Sequence, residues 1–116
     1  MRKVALIGAG NRAKNYNLPI LKQMLDKIDV VGIATKSGAI SKEFEVFNAP
    51  AFASITRMVK ETSPDIIIVT IKSSVVGSVL NEVLDLNIPF LIETTDDYGV
   101  YSKIRERARV PVGVLE

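Results

Sequence analysis

Short runs of apolar, mostly β-branched residues recur along the chain. The clearest are Val4–Ile7, Val30–Ala34, Ile66–Val69, Phe90–Ile92 and Val112–Leu115. Within each run the apolar residues are consecutive rather than alternating with polar ones. This is typical of a strand covered by helices on both faces, and therefore of a parallel sheet. A shorter run, Ala51–Ala53 after Pro50, predicts a weak additional strand at an edge of that sheet.

The segments between the runs carry apolar residues at intervals of three and four, the spacing by which one face of a helix packs on a sheet. The three stripes are Ile20, Leu21, Met24, Leu25 and Ile28; then Ile55, Met58 and Val59; then Val75, Val76, Val79, Leu80, Val83 and Leu84. Asn87 and Pro89 predict the end of the third helix. Ser63–Asp65, which contains a proline, predicts a break before the next strand.

Strands that alternate with helices in this way predict an α/β fold. With right-handed crossovers it becomes a doubly wound, Rossmann-like parallel sheet of five to six strands in the order 3-2-1-4-5-6. The 116 residues suit a single domain. In such a sheet ligands bind beyond the carboxyl ends of the strands, at the switch point between strands 1 and 4. The loops that meet there are 8–12, 70–74 and 93–97.

The composition removes several kinds of chemistry. Cysteine is absent, which excludes disulfides and thiolate metal sites, and histidine is absent too, which removes the usual general base and the commonest neutral metal ligand. We therefore assign no catalytic residue and no metal site. The formal net charge of +2 is spread along the chain, so neither nucleic acid nor a membrane is an expected partner. The apolar runs are too short for a signal peptide or a membrane span, and we expect a cytoplasmic protein.

A glycine-rich loop follows the first strand and reads Gly8-Ala9-Gly10-Asn11-Arg12-Ala13, a G-x-G-x-x-A pattern. Gly8 would allow the tight turn off the strand, Gly10 would let a diphosphate approach the backbone, and Ala13 is small enough for close helix packing. The N–H groups of a helix that begins near Asn11 would face the phosphates. The alternative is a glycine turn with no ligand.

The end of the second strand is the next determinant of dinucleotide binding. An acidic side chain there would bond the ribose 2′-hydroxyl of NAD, but this chain reads Ala34-Thr35-Lys36-Ser37. One cation and two hydroxyls suit a 2′-phosphate, and Arg12 would approach from the glycine loop. The sequence therefore favours NADP over NAD. The alternative is that Lys36 is a solvated lysine of the loop.

Four segments together resemble the nucleotide-binding half of the glucose-fructose oxidoreductase, inositol dehydrogenase and MocA family. They are Gly8–Tyr16, Val30–Ser37, Ser63–Val69 and Ile88–Glu93. The resemblance implies a dinucleotide-binding domain over residues 1–116. In this family a larger α/β domain follows, binds a sugar or cyclitol and contributes most of the catalytic side chains. We expect that second domain to be absent here.

The resemblance also adds Thr70 and Glu93 to the predicted cofactor-binding residues, and Ser73 is added because its hydroxyl could bond the cofactor. The family's Glu-Lys-Pro motif after the fifth strand is Glu93-Thr94-Thr95 here, so the lysine near the nicotinamide is replaced. After the fourth strand Thr70 matches, whereas the family's proline and histidine do not. Ser73 is either a ligand of the cofactor ribose or a helix cap, and capping is the simpler assignment.

Two functions remain open. The chain is either the NAD(P)-binding module of an oxidoreductase that acts on a sugar-like or cyclitol CH–OH group, without catalysis of its own, or a non-catalytic protein that senses a nucleotide or binds a partner. The expected partners are a dinucleotide, a separate substrate-domain chain and, through surface that a second domain would cover, another copy of the chain. A polar helix face over Lys103–Arg109 is predicted to be solvated.

Overall fold

Six parallel strands form one sheet in the order β3-β2-β1-β4-β5-β6. The structure is a computed structural model that describes residues 1–8, 18–70, 73–93, 102, 104 and 106–115. The strands are β1 Arg2–Ile7, β2 Ile28–Ala34, β3 Ala51–Phe52, β4 Ile66–Val69, β5 Phe90–Glu93 and β6 Val112–Leu115. The predicted strand order is confirmed, and so is the short edge strand after Pro50.

Helices cover both faces of the sheet. They are α1 Leu18–Gln23, a 3₁₀ helix Lys42–Phe47, α2 Ile55–Thr62 and α3 Ser73–Leu86. The alternation of side chains along β1 separates the two faces. Val4 and Leu6 belong to a core with Leu18 of α1 and Phe44 of the 3₁₀ helix. Ala5 and Ile7 point the other way, into a core built from α2, α3 and the remaining strands. The doubly wound prediction is confirmed.

The described side chains of the second and third predicted stripes pack as expected. Met58 of α2 is fully buried, and Leu80, Val83 and Leu84 of α3 are buried in the same core. At Ser63 and Asn87, immediately after α2 and α3, the backbone adopts φ of 47° and 55°, the left-handed conformation that ends a helix. Both predicted stops are therefore confirmed.

The first stripe is partly wrong. Helix α1 ends at Gln23, and Ile28 is the first residue of β2, where it pairs with Arg2. Ile20 is 59% exposed, and the residues that α1 buries are Leu18 and Leu21. The cause is a tight turn after the helix, in which Met24 accepts hydrogen bonds from the N–H groups of Lys27 and Ile28 at 2.8 and 3.0 Å. The residues of the predicted stripe are therefore divided between α1, the turn that follows it and β2.

The polar segment near the C-terminus is exposed at its described charged residues, as predicted, and one of them also contacts α3. Arg107 lies in a helical stretch and donates from its guanidinium to Asn81 Oδ1 at 2.8 Å and to Asp85 Oδ1 at 2.6 Å. Both partners lie on α3. Glu106 and Arg109 are exposed, as predicted, and Lys103 and Arg105 lie outside the described residues. Arg107 therefore ties this segment to α3.

Candidate functional site

Four residues at the ends of neighbouring strands lie in one row at the carboxyl edge of the sheet. Ile7 pairs with Ala34 on one side and with Val69 on the other, and Val69 pairs with Ile92. The next residue of each strand is therefore in register as well. This row comprises Thr35, Gly8, Thr70 and Glu93, four of the residues that the sequence assigns to cofactor binding.

Main-chain hydrogen bonds continue the sheet into this row. Gly8 donates its N–H to the carbonyl of Ala34 at 2.8 Å, and Thr70 donates its N–H to the carbonyl of Ile7 at 2.8 Å. Thr35 donates its N–H to the carbonyl of Phe52 at 2.9 Å, which connects the row to the edge strand β3. The positions of these residues are thus fixed by the sheet rather than by flexible side chains.

Gly8 turns the chain away from β1. Its φ of 95° lies in the region that L side chains rarely adopt, so the backbone at this position requires glycine. This positive φ is what the predicted tight turn requires. The other predicted residues of this loop, Gly10, Asn11, Arg12 and Ala13, lie outside the described residues.

The loop after β2 has a defined shape although it contains no regular secondary structure. The Thr35 carbonyl accepts the N–H of Gly38 at 3.3 Å, and the Thr35 hydroxyl donates to the carbonyl of Ala39 at 2.9 Å. The Ser37 hydroxyl accepts the N–H of Ala39 at 3.2 Å. Lys36 stands exposed between these bonded residues. Thr35, Lys36 and Ser37 therefore lie in one closed turn at the edge of the sheet.

The remaining predicted site residues border the switch point. Thr70 is 5% exposed at the end of β4, beside Gly8. Ser73 is the first residue of α3, and its side chain lies outside the described part of the structure, so its assignment as a cap or as a ligand of the ribose stays a prediction. Glu93 is the last residue of β5 and pairs with Leu115 of β6. Lys72 and the Thr94–Thr95 pair lie outside the described residues.

Sequence reasoning missed the part of Gly38 in this site. Gly38 has φ of 78°, and a Cβ at this position would lie 3.4 Å from the Cβ of Ala53. The loop after β2 therefore rests on the connection from β3 to α2. The available signal was the Ser37-Gly38 dipeptide, which marks a turn.

A cavity of about 520 Å³ lies elsewhere, along β3 and α2. It is lined by Pro50, Ala51, Phe52, Ala53, Ser54, Arg57, Glu61 and Thr62. Its charged side chains neutralise each other, because Arg57 Nε and Glu61 Oε1 form an ion pair at 3.2 Å. None of the residues predicted to bind a cofactor lines this cavity, so we place the candidate site at the carboxyl edge of β1, β2 and β4.

These features define a Rossmann-type dinucleotide fold, with its switch point between β1 and β4. The family model described as "Oxidoreductase family, NAD-binding Rossmann fold" matches residues 2–94. The chain belongs to this family, the Gfo/Idh/MocA oxidoreductases, and forms its NAD-binding Rossmann module. Curated protein sequences give no match.

Several solved structures share this fold. The WlbA dehydrogenase from Chromobacterium violaceum, in complex with NADH and UDP-GlcNAcA, superposes with a TM-score of 0.79 at 20% identity over 98% of this chain. A Gfo/Idh/MocA family oxidoreductase from Vibrio cholerae gives 0.73 at 21% over 98%. The transcriptional regulator Gal80p from Kluyveromyces lactis gives 0.74 at 16% over 97%. The chain spans 34%, 38% and 32% of these proteins, about a third of their length.

In the part of the chain that the structure describes, no helix is both long enough and apolar enough to cross a bilayer.

Proposed function

We propose that this chain binds a dinucleotide across the row Thr35, Gly8, Thr70 and Glu93, and that it prefers NADP to NAD. The observation that carries the proposal is the register of the strands, which brings the ends of β1, β2 and β4 to one edge. The pyrophosphate would lie at the Gly8 turn, where glycine adopts a positive φ and has no side chain that would keep a ligand from the backbone. Gly10, Asn11, Arg12 and Ala13 would complete that part of the site.

The preference for NADP rests on the loop after β2. NAD specificity in this fold usually requires a carboxylate at this position that bonds the ribose 2′-hydroxyl. The turn 35–39 contains a lysine, a serine and a threonine but no acidic residue. A carboxylate would repel a 2′-phosphate, whereas the ammonium of Lys36 would attract it. We therefore assign the 2′-phosphate to Lys36 and Ser37.

As a module, residues 1–116 would hold the cofactor for an oxidoreductase that acts on a CH–OH group of a sugar-like or cyclitol substrate. The substrate would be bound by a further domain or by a separate chain, because the solved relatives are about three times longer. The nucleotide sugar in the complex of the WlbA dehydrogenase supports this substrate class. When bound, the dinucleotide supplies the hydride chemistry; this chain supplies its binding and orientation.

A second function is supported by two specific observations. The lysine of the family's Glu-Lys-Pro motif is replaced by Thr94, and one protein with the same fold is a transcriptional regulator, Gal80p. On this proposal the chain senses a nucleotide or binds a partner, including another copy of itself, without catalysis. Both functions use the same site. They differ in the role of the bound nucleotide, which takes part in hydride transfer in the first and controls binding of a partner in the second.

Thermal unfolding with NADPH, NADH or ADP-ribose tests the binding site. A ligand at a hundred times its dissociation constant stabilises the fold by about 2.7 kcal/mol, and we expect this effect at a lower concentration of NADPH than of NADH. Gly10→Val should abolish the stabilisation, because its side chain would occupy the space of the diphosphate. If no ligand shifts the unfolding temperature, dinucleotide binding is wrong for this chain.

A second measurement separates the two functions. The chain is mixed with oxidised NADP+ and a set of sugar and cyclitol substrates, and formation of NADPH, by hydride transfer from a CH–OH group, is followed by its absorbance. If the chain is the cofactor-binding module of an oxidoreductase, turnover should appear only when a separate chain that binds the substrate is added. Sedimentation with and without NADPH tests the alternative, since a sensor changes its self-association when the nucleotide binds.

A further inference from the structure

The Thr35 side chain is already engaged within its own loop. Its hydroxyl donates to the carbonyl of Ala39 at 2.9 Å. A hydroxyl carries one hydrogen, so Thr35 has no second hydrogen for a phosphate oxygen while this bond is made. The Ser37 hydroxyl differs, because it accepts from the N–H of Ala39 and that bond leaves its own hydrogen available. The two hydroxyls of the loop are therefore not equivalent.

Ala39 is held from both sides by these two residues. Its carbonyl accepts from Thr35 and its N–H donates to Ser37, at 2.9 and 3.2 Å. The third bond, from the N–H of Gly38 to the carbonyl of Thr35, closes the turn. Lys36 lies between the bonded residues, so the direction in which it leaves the backbone depends on these three bonds.

The turn is also anchored from outside. Thr35 donates its N–H to Phe52 of β3, and Gly38 lies against Ala53 in the connection to α2. An exposed loop that is ordered before a ligand arrives loses less conformational entropy on binding than a loop that must be ordered by the ligand. Among the described residues Lys36 has no ion-pair partner, so the turn presents its ammonium without a competing carboxylate.

We infer that Thr35 is a positioning residue for cofactor specificity: its hydroxyl, bonded to Ala39, holds the turn 35–39 in the shape that presents Lys36 and the Ser37 hydroxyl to the 2′-phosphate of NADP. This inference rests on the proposed function. Thr35 supports the loop, and Lys36 and Ser37 contact the phosphate. Loss of the Thr35 hydroxyl should therefore weaken ligands that carry the 2′-phosphate and leave the others nearly unchanged.

The test compares Thr35→Val, which removes the hydroxyl at nearly constant shape, with Thr35→Ser, which retains it. Dissociation constants are measured by titration calorimetry for NADPH, NADH, adenosine 2′,5′-bisphosphate and AMP. For Thr35→Val we expect about fivefold weaker binding of NADPH and of the bisphosphate, the size of one lost hydrogen bond. NADH and AMP should change by less than about twofold, and Thr35→Ser should match the wild type.

Gly38→Ala provides a second route to the same loop. It removes no group that touches a ligand, but a φ of 78° is strained for alanine. The conformation of the turn should therefore change near Gly38, while the Thr35 hydroxyl is retained. This variant should again lower the affinity for NADPH more than for NADH. It keeps the inference testable if Thr35→Val fails to fold.

The outcomes are distinguishable. If the wild-type chain binds none of the four ligands, the proposed function is wrong and the inference fails with it. If it binds NADH and NADPH equally well, the site exists but the turn does not select for the 2′-phosphate, and the inference alone is overturned. The same follows if Thr35→Val weakens NADPH and NADH by equal factors, because Thr35 would then stabilise the fold without acting on specificity.

Discussion

Gly32 of β2 lies directly beneath Met58 of α2, with no room for a side chain of its own. A Cβ at Gly32 would lie 2.8 Å from Met58 Cγ and 3.3 Å from the Phe52 ring. Met58 is fully buried at this contact. Because the glycine lets α2 approach the sheet closely, it also sets the position of Ala53, which precedes α2 and contacts the turn at Gly38.

Gly32→Ala should destabilise the fold by about 1 to 3 kcal/mol, the usual effect of overpacking a core. Two effects oppose each other here. Glycine in a strand costs about 0.5–1 kcal/mol relative to alanine, which favours the substitution. The contact prevails because Met58 Cγ is near the backbone of α2 and moves only if the side chain changes its χ1 rotamer. Urea unfolding measures the difference in free energy.

The double variant Gly32→Ala with Met58→Ala is the control for this contact. Met58→Ala alone leaves a cavity, but it also removes the atom that the new Cβ meets. The loss in free energy of unfolding of the double variant should therefore be smaller than the sum of the two single losses, by about 1 kcal/mol or more. A Gly32→Ala variant that is more stable than the wild type would show that the helix can shift without loss.

Two serines that precede helical turns should respond differently to removal of their hydroxyls. Ser54 accepts the N–H of Arg57 at 3.2 Å and caps α2, so Ser54→Ala should cost about 1 kcal/mol. Ser41 precedes the 3₁₀ helix without such a bond, and its buried Oγ has no hydrogen-bond partner in the described part of the chain. Ser41→Ala should be neutral or stabilising, because it removes a polar atom that is desolvated without compensation.

Each serine is the control for the other in thermal and urea unfolding. Both substitutions delete a hydroxyl just before a helix. A difference between them therefore reports the surroundings of that hydroxyl, a cap bond at Ser54 and uncompensated burial at Ser41, and not a general effect of removing serine. Equal losses for both variants would contradict the prediction, since Ser41 would then have a stabilising contact in solution.

The Arg107–Asp85 ion pair should contribute little to stability although its geometry is good. Asp85 is 72% exposed and Arg107 is 40% exposed, so water and salt screen the attraction. A double-mutant cycle with Arg107→Ala and Asp85→Ala should give a coupling of about 0.2 to 1 kcal/mol. The coupling should fall when salt is raised to about 1 M, where the Debye length is only about 3 Å.

Arg57 and Glu61, four residues apart on α2, provide a reference pair that is also exposed. Their coupling should be near 0.3–0.5 kcal/mol, the range of pairs within one helix. A coupling of Arg107 with Asp85 well above 1 kcal/mol, insensitive to salt, would contradict the prediction and indicate that this contact is desolvated in solution.

The sequence predicts the sheet well because each strand contains a run of consecutive apolar residues. Such a run can be recognised without knowing which other elements pack against it. Ile66–Val69, for example, can be assigned without knowledge of the rest of the fold. The strand order then places Gly8, Thr35 and Thr70 at one edge. The first helix is harder, because Ile28 continues its spacing by chance while it pairs with Arg2 in β2.

Interactions that depend on side-chain direction are beyond such patterns. The bond from Thr35 to Ala39 follows from the conformation of a turn without regular structure, so residue types alone suggest a phosphate ligand where the structure has a loop contact. The contact of Arg107 with Asp85 joins residues 22 positions apart on different helical segments. Its presence depends on how these segments pack, and a polar face in the sequence is compatible with either outcome.

Gly8→Ala tests the turn on which the proposed dinucleotide binding at this edge depends. At φ of 95° an alanine is strained, and we expect a loss of about 1–2 kcal/mol in the free energy of unfolding. The backbone can escape this strain only if the turn changes shape, which moves the N–H groups and the glycine loop away from the pyrophosphate. The affinities for NADPH, NADH and ADP-ribose should therefore fall by similar factors, since all three ligands contain the pyrophosphate.

Gly38→Ala is the matched control, because it strains a positive φ in the neighbouring loop but should change the ratio of NADPH to NADH affinity. If Gly8→Ala changes that ratio and leaves ADP-ribose unaffected, the pyrophosphate does not lie at Gly8.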